Sequence, residues 1–334
     1  NNDPMQWRRS QAASRVMDRL GDVPGAGRFG FTNVALVMIG LMLLVGPIDW
    51  IVLKRLGRQP WTWFTTTGWI ALITTGAIYI GHALKSGDLH FRTMRMIDQQ
   101  RDSVVGWVDA VGIYSPRTSE YTIKTDPETW WEPLSMDYGY ARSGRKTDIP
   151  FHQDYRGNTP REMRINVWNL RFLSSEVSAT APPLLEAQLR FEHRGAGNNQ
   201  IVGTIKNIGN APLKDFVIRT KGAYCMMGDA KPLEPGAEMP VDRRLQSNPE
   251  PTTQYNYYGN PYARDAQVGI EQYFDMSPER SRRIDTLLRT RDDVVVIYAE
   301  AMVAPAIAQL DPPPNAQQHS QMIRAVLPLE RPKP

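Results

Sequence analysis

The side chains best suited to acid–base, nucleophilic or metal chemistry are few in this 334-residue chain, and they are scattered. No two of the five histidines are spaced like metal ligands: His82, His90, His152, His193 and His319. The single cysteine, Cys225, falls in a predicted strand, where a buried structural thiol is favoured over a nucleophile. Asp292 and Asp293 are adjacent and would point to opposite faces of a strand, which is poor geometry for a shared acid–base site.

Sequence motifs and charge distribution also give no sign of catalysis, metal binding or nucleic-acid binding. The sequence has no phosphate-binding loop, zinc-protease helix, serine-hydrolase elbow or calcium loop. The net charge of +4 is spread without a basic stripe, which does not indicate a nucleic-acid partner. We therefore predict a protein that is not an enzyme, with no catalytic residue, metal site, cofactor or nucleic-acid partner.

Asp49 stands inside an apolar run, in GPIDWIVLKRLGRQP, and raises the question of what surrounds it. Residues 33–53 and 61–84 are each long and apolar enough in sequence to cross a bilayer, since about 20 residues cover a ~30 Å core. Tryptophans near their ends suit a membrane interface. The pattern predicts a two-helix transmembrane hairpin in residues 32–86.

In such a hairpin the loop centre falls near Gly57, so the second helix returns to the depth of Asp49. Three consecutive threonines at that depth could donate hydrogen bonds to the carboxylate: Thr65, Thr66 and Thr67. We interpret this as an intramembrane polar clasp rather than a proton or ion relay, because the second helix carries no acid. The basic loop KRLGRQP favours a cytoplasmic position, which places the N-terminus and the C-terminal domains outside the cytoplasm at a bacterial inner membrane.

The segments on either side differ from the hairpin. Residues 4–20 have apolar positions at helical spacing, which predicts an amphipathic helix on a membrane surface or an ordinary exposed helix. With the linker after it, this segment makes up residues 1–31.

From residue 88 onward, apolar and polar side chains alternate in ten short segments separated by Gly, Pro, Asn and Asp. Only 277–290 has a helical pattern, with Ser277 as N-cap and Pro278 at the first position. Many short strands without interleaved helices predict antiparallel β-sandwiches, one over 87–181 and an Ig-like one over 182–334.

Two long loops are dense in aromatic side chains: DPETWWEPLSMDYGYARSGRKTDIPFHQDY and TTQYNYYGNPYARD. Trp, Tyr and Arg dominate protein interfaces, although aromatic side chains also stack on sugars and long loops also pack on themselves. All three interpretations stay open from the sequence. The candidate partner-contact residues are Trp130, Trp131, Tyr138, Tyr140, Tyr255, Tyr257, Tyr258 and Tyr262.

Several short motifs also follow one another in a specific order. The hairpin reads G-P-[IL]-[ND]-[YW]-x-x-L-[RK]-R over 46–55, a strand end reads G-x-[YF]-S-P-R over 112–117, and an Ig-like segment reads G-x-[VI]-x-N over 203–207. This order resembles that of uncharacterised bacterial envelope proteins. The resemblance implies a two-helix membrane anchor followed by extracytoplasmic Ig-like domains, and it leaves the biochemical role undefined.

Together these features predict an α+β membrane protein that serves as a non-enzymatic, membrane-anchored subunit or scaffold of a bacterial cell-envelope complex. Its partners would be the lipid bilayer and either other envelope subunits or a second copy of the chain. The alternative is a module that binds cell-wall or surface glycan.

Overall fold

The structure is a computed structural model, and it has four α-helices and one 3₁₀ helix among the residues that it describes. The helices are α1 Pro4–Gly21, α2 Asp49–Arg55, α3 Thr62–Leu84, the 3₁₀ helix Gly269–Met276 and α4 Pro278–Thr290. The described residues are 4–22, 38–40, 42–43, 46–47, 49–55, 57, 61–84, 88–125, 129–134, 150–153, 155, 157–193, 199–228, 230–247, 252–255, 261–264 and 269–330.

Strands make up most of the described chain after residue 88. They are β1 His90–Gln100, β2 Ser103–Ser115, β3 Ser119–Lys124, β4 Trp131–Pro133, β5 Phe151–Gln153, β6 Asn158–Pro160, β7 Met163–Ile165, β8 Asn169–Val177, β9 Leu185–His193, β10 Asn199–Asn207, β11 Leu213–Thr220, β12 Ala223–Met227, β13 Glu238–Arg244, β14 Gln246–Ser247, β15 Thr252–Tyr255, β16 Pro261–Arg264, β17 Val294–Ala301, β18 Gln309–Asp311 and β19 Ala316–Glu330.

Twelve of these strands form one mixed sheet, whose main path runs β14-β12-β11-β17-β19-β1-β2-β8-β4. At its centre β1 and β19 pair in parallel from His90↔Ala316 to Gln100↔Val326. This pairing joins residues of both predicted sandwich domains in a single sheet. The predicted fold of antiparallel Ig-like sandwiches is therefore wrong: local alternation identified strands, but the sheet is mixed and continuous.

One face of the sheet is covered by α1, the 3₁₀ helix and α4. The apolar residues of α1 are buried in the same cluster as Met94 and Met96 of β1 and Ala110 of β2: Ala12, Ala13, Val16, Met17 and Leu20. A Cβ on Gly112 would lie 2.9 Å from Leu20 Cβ, so glycine there permits the close approach of α1. The apolar face of α1 thus packs on the sheet, and the predictions of a membrane-surface helix or an exposed helix are wrong.

The other face of the sheet is covered by two groups of strands, of which β9, β10 and β13 are a branch of the same sheet joined to it by the β9–β19 pairing. Strands β9, β10 and β13 enclose one apolar cluster with β11, β17 and β19, centred on residues such as Leu189, Ile297 and Ile323. Strands β3, β7 and β18 enclose another with β1, β2 and β8, around Phe91 and Tyr121. The part of the face between these two clusters carries polar side chains.

A buried polar network fastens α4 to the covered face. Arg324 Nε of β19 donates to Asp98 Oδ1 of β1 at 2.6 Å, and Arg324 Nη1 donates to Ser281 Oγ of α4 at 2.8 Å. Arg280 Nη1 reaches the other oxygen of Asp98 at 3.4 Å. Ser277 does occupy the N-cap position of α4, but its hydroxyl donates to Glu176 instead of capping the helix.

Within the described ranges, no helix is both long enough and apolar enough to span a bilayer. The structure describes the first predicted span, residues 33–53, only in part, and in the second span six threonines dilute the apolar character of α3. The predicted transmembrane hairpin and the inner-membrane localisation inferred from it are wrong, and the lipid bilayer is not supported as a partner.

Candidate functional site

The helix pair α2–α3 brings together some of the residues predicted to form a polar clasp. Thr65 Oγ1 donates to Asp49 Oδ2 at 2.8 Å, and Trp69 Nε1 donates to Asp49 Oδ1 at 3.3 Å. Asp49 is buried by these contacts. Thr67 instead donates to the carbonyl of Trp63. Thr66, the residue before Thr67, is half-buried. Trp69 is a partner of Asp49 that the sequence argument missed, although it lies one turn beyond Thr65 on α3.

The aromatic residues predicted to contact a partner fall into different environments. Trp131 is 2% exposed, packs in the cluster around Phe91 and donates from Nε1 to Thr129 Oγ1 at 3.0 Å. Trp131 is therefore a core residue, and its prediction as a partner contact is wrong. Trp130 is 48% exposed and stays a candidate.

The tyrosines of the same prediction are only partly described. Tyr255 and Tyr262 lie on the antiparallel pair β15–β16. The other four lie outside the described residues: Tyr138, Tyr140, Tyr257 and Tyr258.

A more complete polar site lies on the sheet face between the two apolar clusters, and we call it the polar strip. It consists of Thr93 and Arg95 of β1, Trp107 and Asp109 of β2, and His319 of β19. Register aligns them, because Arg95 pairs with Asp109 and Thr93 pairs with His319. Side chains two residues apart share a face of a strand, so the five point to one side.

Arg95 and Asp109 form the centre of the polar strip. Arg95 Nε donates to Asp109 Oδ1 at 2.7 Å and Arg95 Nη2 donates to Asp109 Oδ2 at 2.8 Å, a bidentate pair of the strongest kind. The Arg95 side chain is 25% exposed and that of Asp109 only 3%. Burial raises the pKa of Asp109, while the hydrogen bonds and charge of Arg95 act to lower it. Arg95 therefore favours the ionised carboxylate against the cost of burial.

Trp107 and His319 extend the polar strip to either side. The Arg95 guanidinium carbon lies 4.9 Å from the centre of the Trp107 ring, a cation–π contact with a half-buried indole. Thr93 Oγ1 and His319 Nδ1 are 2.8 Å apart, so they share a hydrogen bond. Burial lowers the pKa of His319, which favours the neutral ring at neutral pH. The strip thus offers one cation held between a carboxylate and an aromatic ring.

Besides the buried Trp107 Nε1, which has no hydrogen-bond partner among the described residues, two nitrogens of the polar strip remain for a ligand. Among the described residues, Arg95 Nη1 and His319 Nε2 have no hydrogen-bond partner, since the ion pair uses the other guanidinium nitrogens and Thr93 uses Nδ1. These atoms donate or accept hydrogen bonds and could orient a carboxylate. The acid of the strip is committed to a structural ion pair, and its hydroxyl, Thr93 Oγ1, shares a hydrogen bond with His319, so the arrangement can hold and orient a ligand through Arg95 and His319.

Other chemical groups lie elsewhere. Cys225 is buried, and burial raises its pKa to about 11, which makes it a poor nucleophile. In the described part of the chain, His, Cys, Asp and Glu form no group of three placed to hold a metal ion. The sequence contained one sign of the polar strip: the alternation in HFRTMRMI puts Arg95 on the same strand face as Phe91 and Ile97, where an apolar residue would be expected.

No protein-family model matches the chain, and no curated protein matches it either. Solved structures give remote similarities. The yeast delta-COP-I mu-homology domain is 6% identical over 73% of this chain and 98% of its own, with a TM-score of 0.31. The same domain complexed with a Dsl1 WxWxV peptide is 6% identical over 73% of this chain and 98% of its own, with a TM-score of 0.32. The Fcho1 mu homology domain of Danio rerio, with a bound Eps15 peptide, is 5% identical over 73% of this chain and 97% of its own, with a TM-score of 0.36. Likenesses at this level establish neither a family nor a function for the chain.

Proposed function

We propose that this chain is a non-enzymatic protein-binding module, a subunit or scaffold of a complex, and that the polar strip contacts a carboxylate-bearing segment of a partner protein. The observation that carries the proposal is the partly exposed pair of Arg95 and Trp107. Arginine and tryptophan are the side chains most enriched among residues that dominate binding energy. Here they lie between two apolar clusters, where a seated partner would exclude water and strengthen the polar contacts.

The geometry of Arg95 supports an acidic ligand. The bidentate contact with Asp109 fixes the plane of the guanidinium, so little side-chain freedom is left to lose on binding. Its remaining nitrogen, Nη1, can donate to an incoming carboxylate. His319 lies about 7 Å along the strand direction from the level of Arg95, within reach of the same short segment.

The same geometry disfavours a glycan as the ligand of the polar strip. A sugar stacks on an open aromatic face, but one face of Trp107 is already covered by the Arg95 guanidinium at 4.9 Å. A planar guanidinium on an indole instead presents a mixed cationic and apolar edge. That edge is better matched by a peptide with an acidic side chain beside an apolar one.

Site-specific photo-crosslinking in cells that make the full protein tests this proposal. A photoreactive residue in place of Gln321, which faces the polar strip opposite Arg95, should form an adduct with a partner protein. The matched control is Gln318, an exposed glutamine of the same strand on the opposite face. The proposal expects an adduct at 321 only, with Asp or Glu in the crosslinked partner peptide, weakened by Arg95→Lys.

Arg95→Lys is the informative second variant because it keeps a cation beside Asp109 and removes the planar fork. Equal adducts at both positions, an adduct to glycan, or an adduct whose yield is the same in Arg95→Lys would contradict the proposal.

A further inference from the structure

A cleft of about 320 Å³ opens on the helix-covered side of the sheet, where α4 ends above β1, β17 and β19. Its size falls in the range of small-ligand sites. Its apolar lining includes Val105 of β2, Leu287 of α4 and Val294 of β17. The rest of the lining is polar and includes two arginines, Arg101 and Arg291. Arg101 and Arg291 are exposed whereas the three apolar side chains are half-buried, so the cleft has an apolar wall and a cationic mouth.

The charges at the mouth of the cleft are not balanced. Arg291 is committed to Asp293, with Nε–Oδ1 at 2.8 Å and Nη2–Oδ2 at 2.5 Å. Hydrogen bonding by Arg291 lowers the pKa of Asp293, and the charges of Arg291 and Arg101 lower it further. Arg101 is exposed, and no described residue accepts a hydrogen bond from its side chain. Two guanidinium groups and one carboxylate leave one positive charge for a ligand.

The backbone holds Arg101 at this mouth. Its φ of 50° is in the left-handed region, which a non-glycine residue adopts at some cost. Two hydrogen bonds fix it there: the Arg101 amide donates to the Val326 carbonyl at 2.9 Å, and the Gln99 side-chain amide donates to the Arg101 carbonyl at 2.9 Å. Gln99 is fully buried and also accepts from the Leu184 and Leu185 amides, so the turn is anchored in the core.

We propose that this cleft binds a carboxylate carried on a short apolar group, with Arg101 as its ion-pair partner and Val105, Leu287 and Val294 around the apolar part. A free organic acid and the C-terminal residue of a polypeptide both have this chemistry. The cleft lies on the opposite face from the polar strip, so this binding is separate from the function proposed above.

Titration of the full chain with matched probes tests the cleft. The probes are phenylacetate against phenylacetamide, and Gly-Gly-Phe with a free against an amidated C-terminus. At least one acid should bind about tenfold or more tightly than its amide, the size expected for one charge-assisted hydrogen bond. Binding of phenylacetate alone identifies a free acid as the ligand, and binding of the peptide acid alone identifies a polypeptide C-terminus.

The variants separate the cleft from general charge effects. Arg101→Asn removes the cation and suits the left-handed backbone, so acid binding should fall about tenfold or more. Arg161→Asn removes an exposed arginine elsewhere and should leave binding unchanged. Ser103→Phe fills the mouth without altering either arginine and should also abolish binding. Acids that bind no better than amides, no binding by any probe, or full acid binding by Arg101→Asn or by a folded Ser103→Phe overturns the proposal.

Discussion

Removal of the Asp98 carboxylate should be among the most destabilising single substitutions in this protein. Asp98 and Arg324 have side chains only 5% and 2% exposed, and their contact is 2.6 Å. Burial acts to lower the pKa of Arg324, but Asp98, together with Tyr298 and Asp275, more than offsets this and leaves the pKa above its ordinary value. Arg324 is therefore charged in the core. Asp98→Ala would leave that charge without its hydrogen-bonded carboxylate, whereas the 16%-exposed Arg280 beside it would keep Glu176 at 3.3 Å.

The magnitude follows from which charge is left unpaired. Breaking a buried pair by removing one partner costs about 3–5 kcal/mol, which is the expected loss for Asp98→Ala. Arg324→Met should cost less, about 2 kcal/mol, because Asp98 keeps Arg280 as a partner. The double variant removes both buried charges and should recover to within about 2 kcal/mol of wild type, since an apolar replacement of a buried pair is often nearly neutral.

The assay is urea unfolding of the four proteins at pH 7, which gives the free energy of unfolding of each. The losses in free energy of unfolding of the two single variants, added together, should exceed the loss of the double variant by at least about 3 kcal/mol, because the effects of contacting charges are strongly non-additive. A loss below about 1 kcal/mol for Asp98→Ala, or a double variant whose loss equals the sum of the singles, would refute the reasoning that this pair is a desolvated, mutually dependent unit.

Three further outcomes follow from individual contacts. Trp131→Ala should lower the free energy of unfolding by about 3–5 kcal/mol because the ring is in the core, whereas Trp130→Ala should change it by less than about 1 kcal/mol; urea unfolding compares the two. Asp49→Asn should keep the α2–α3 contact because an amide oxygen still accepts from Thr65, while Asp49→Leu should lose about 1 kcal/mol, measured by amide hydrogen exchange in α3. Burial raises the pKa of Cys225 to about 11, so its share of stability is complete below the unfolded value of about 8.5 and is lost as pH rises toward 11. Urea unfolding of wild type and Cys225→Ala from pH 8 to 11 should show this difference, and a difference independent of pH would contradict it.

Local elements could be predicted from the sequence because their signals are local. The alternation in SVVGWVDAVGIYS marks β2 at its observed limits of 103–115. A proline and a polar cap at 277–278 mark the start of α4. The pairing of β1 with β19 has no such signal, because it joins residues more than 200 positions apart in parallel register. A strand pattern specifies which side chains share a face, and not which strand lies beside it.

The candidate site was missed for the same reason. Arg95 breaks an apolar face in a way that the sequence shows, but its partner Asp109 is identified only once the register of β1 and β2 is known. The density of aromatic residues, in contrast, led to a wrong prediction for one of two neighbours. Trp130 and Trp131 are adjacent in the chain, yet Trp130 is half exposed and Trp131 is buried. Adjacent side chains in extended backbone point to opposite sides, so only one of the two could face a partner.

The most direct test of the proposed function is a thermodynamic cycle between the polar strip and an acidic peptide. A peptide library selected on the full chain supplies the ligand, and its affinity is measured for wild type and for Arg95→Met/Asp109→Leu, which replaces the whole ion pair so that no charge is left buried alone. The same two proteins are then titrated with the peptide whose Asp or Glu is changed to Asn or Gln. The account predicts that this change weakens binding to wild type about tenfold or more and has little effect on the double variant, a coupling of about 1.5–3 kcal/mol. Peptides selected without an acidic residue, or equal losses in both proteins, would contradict it.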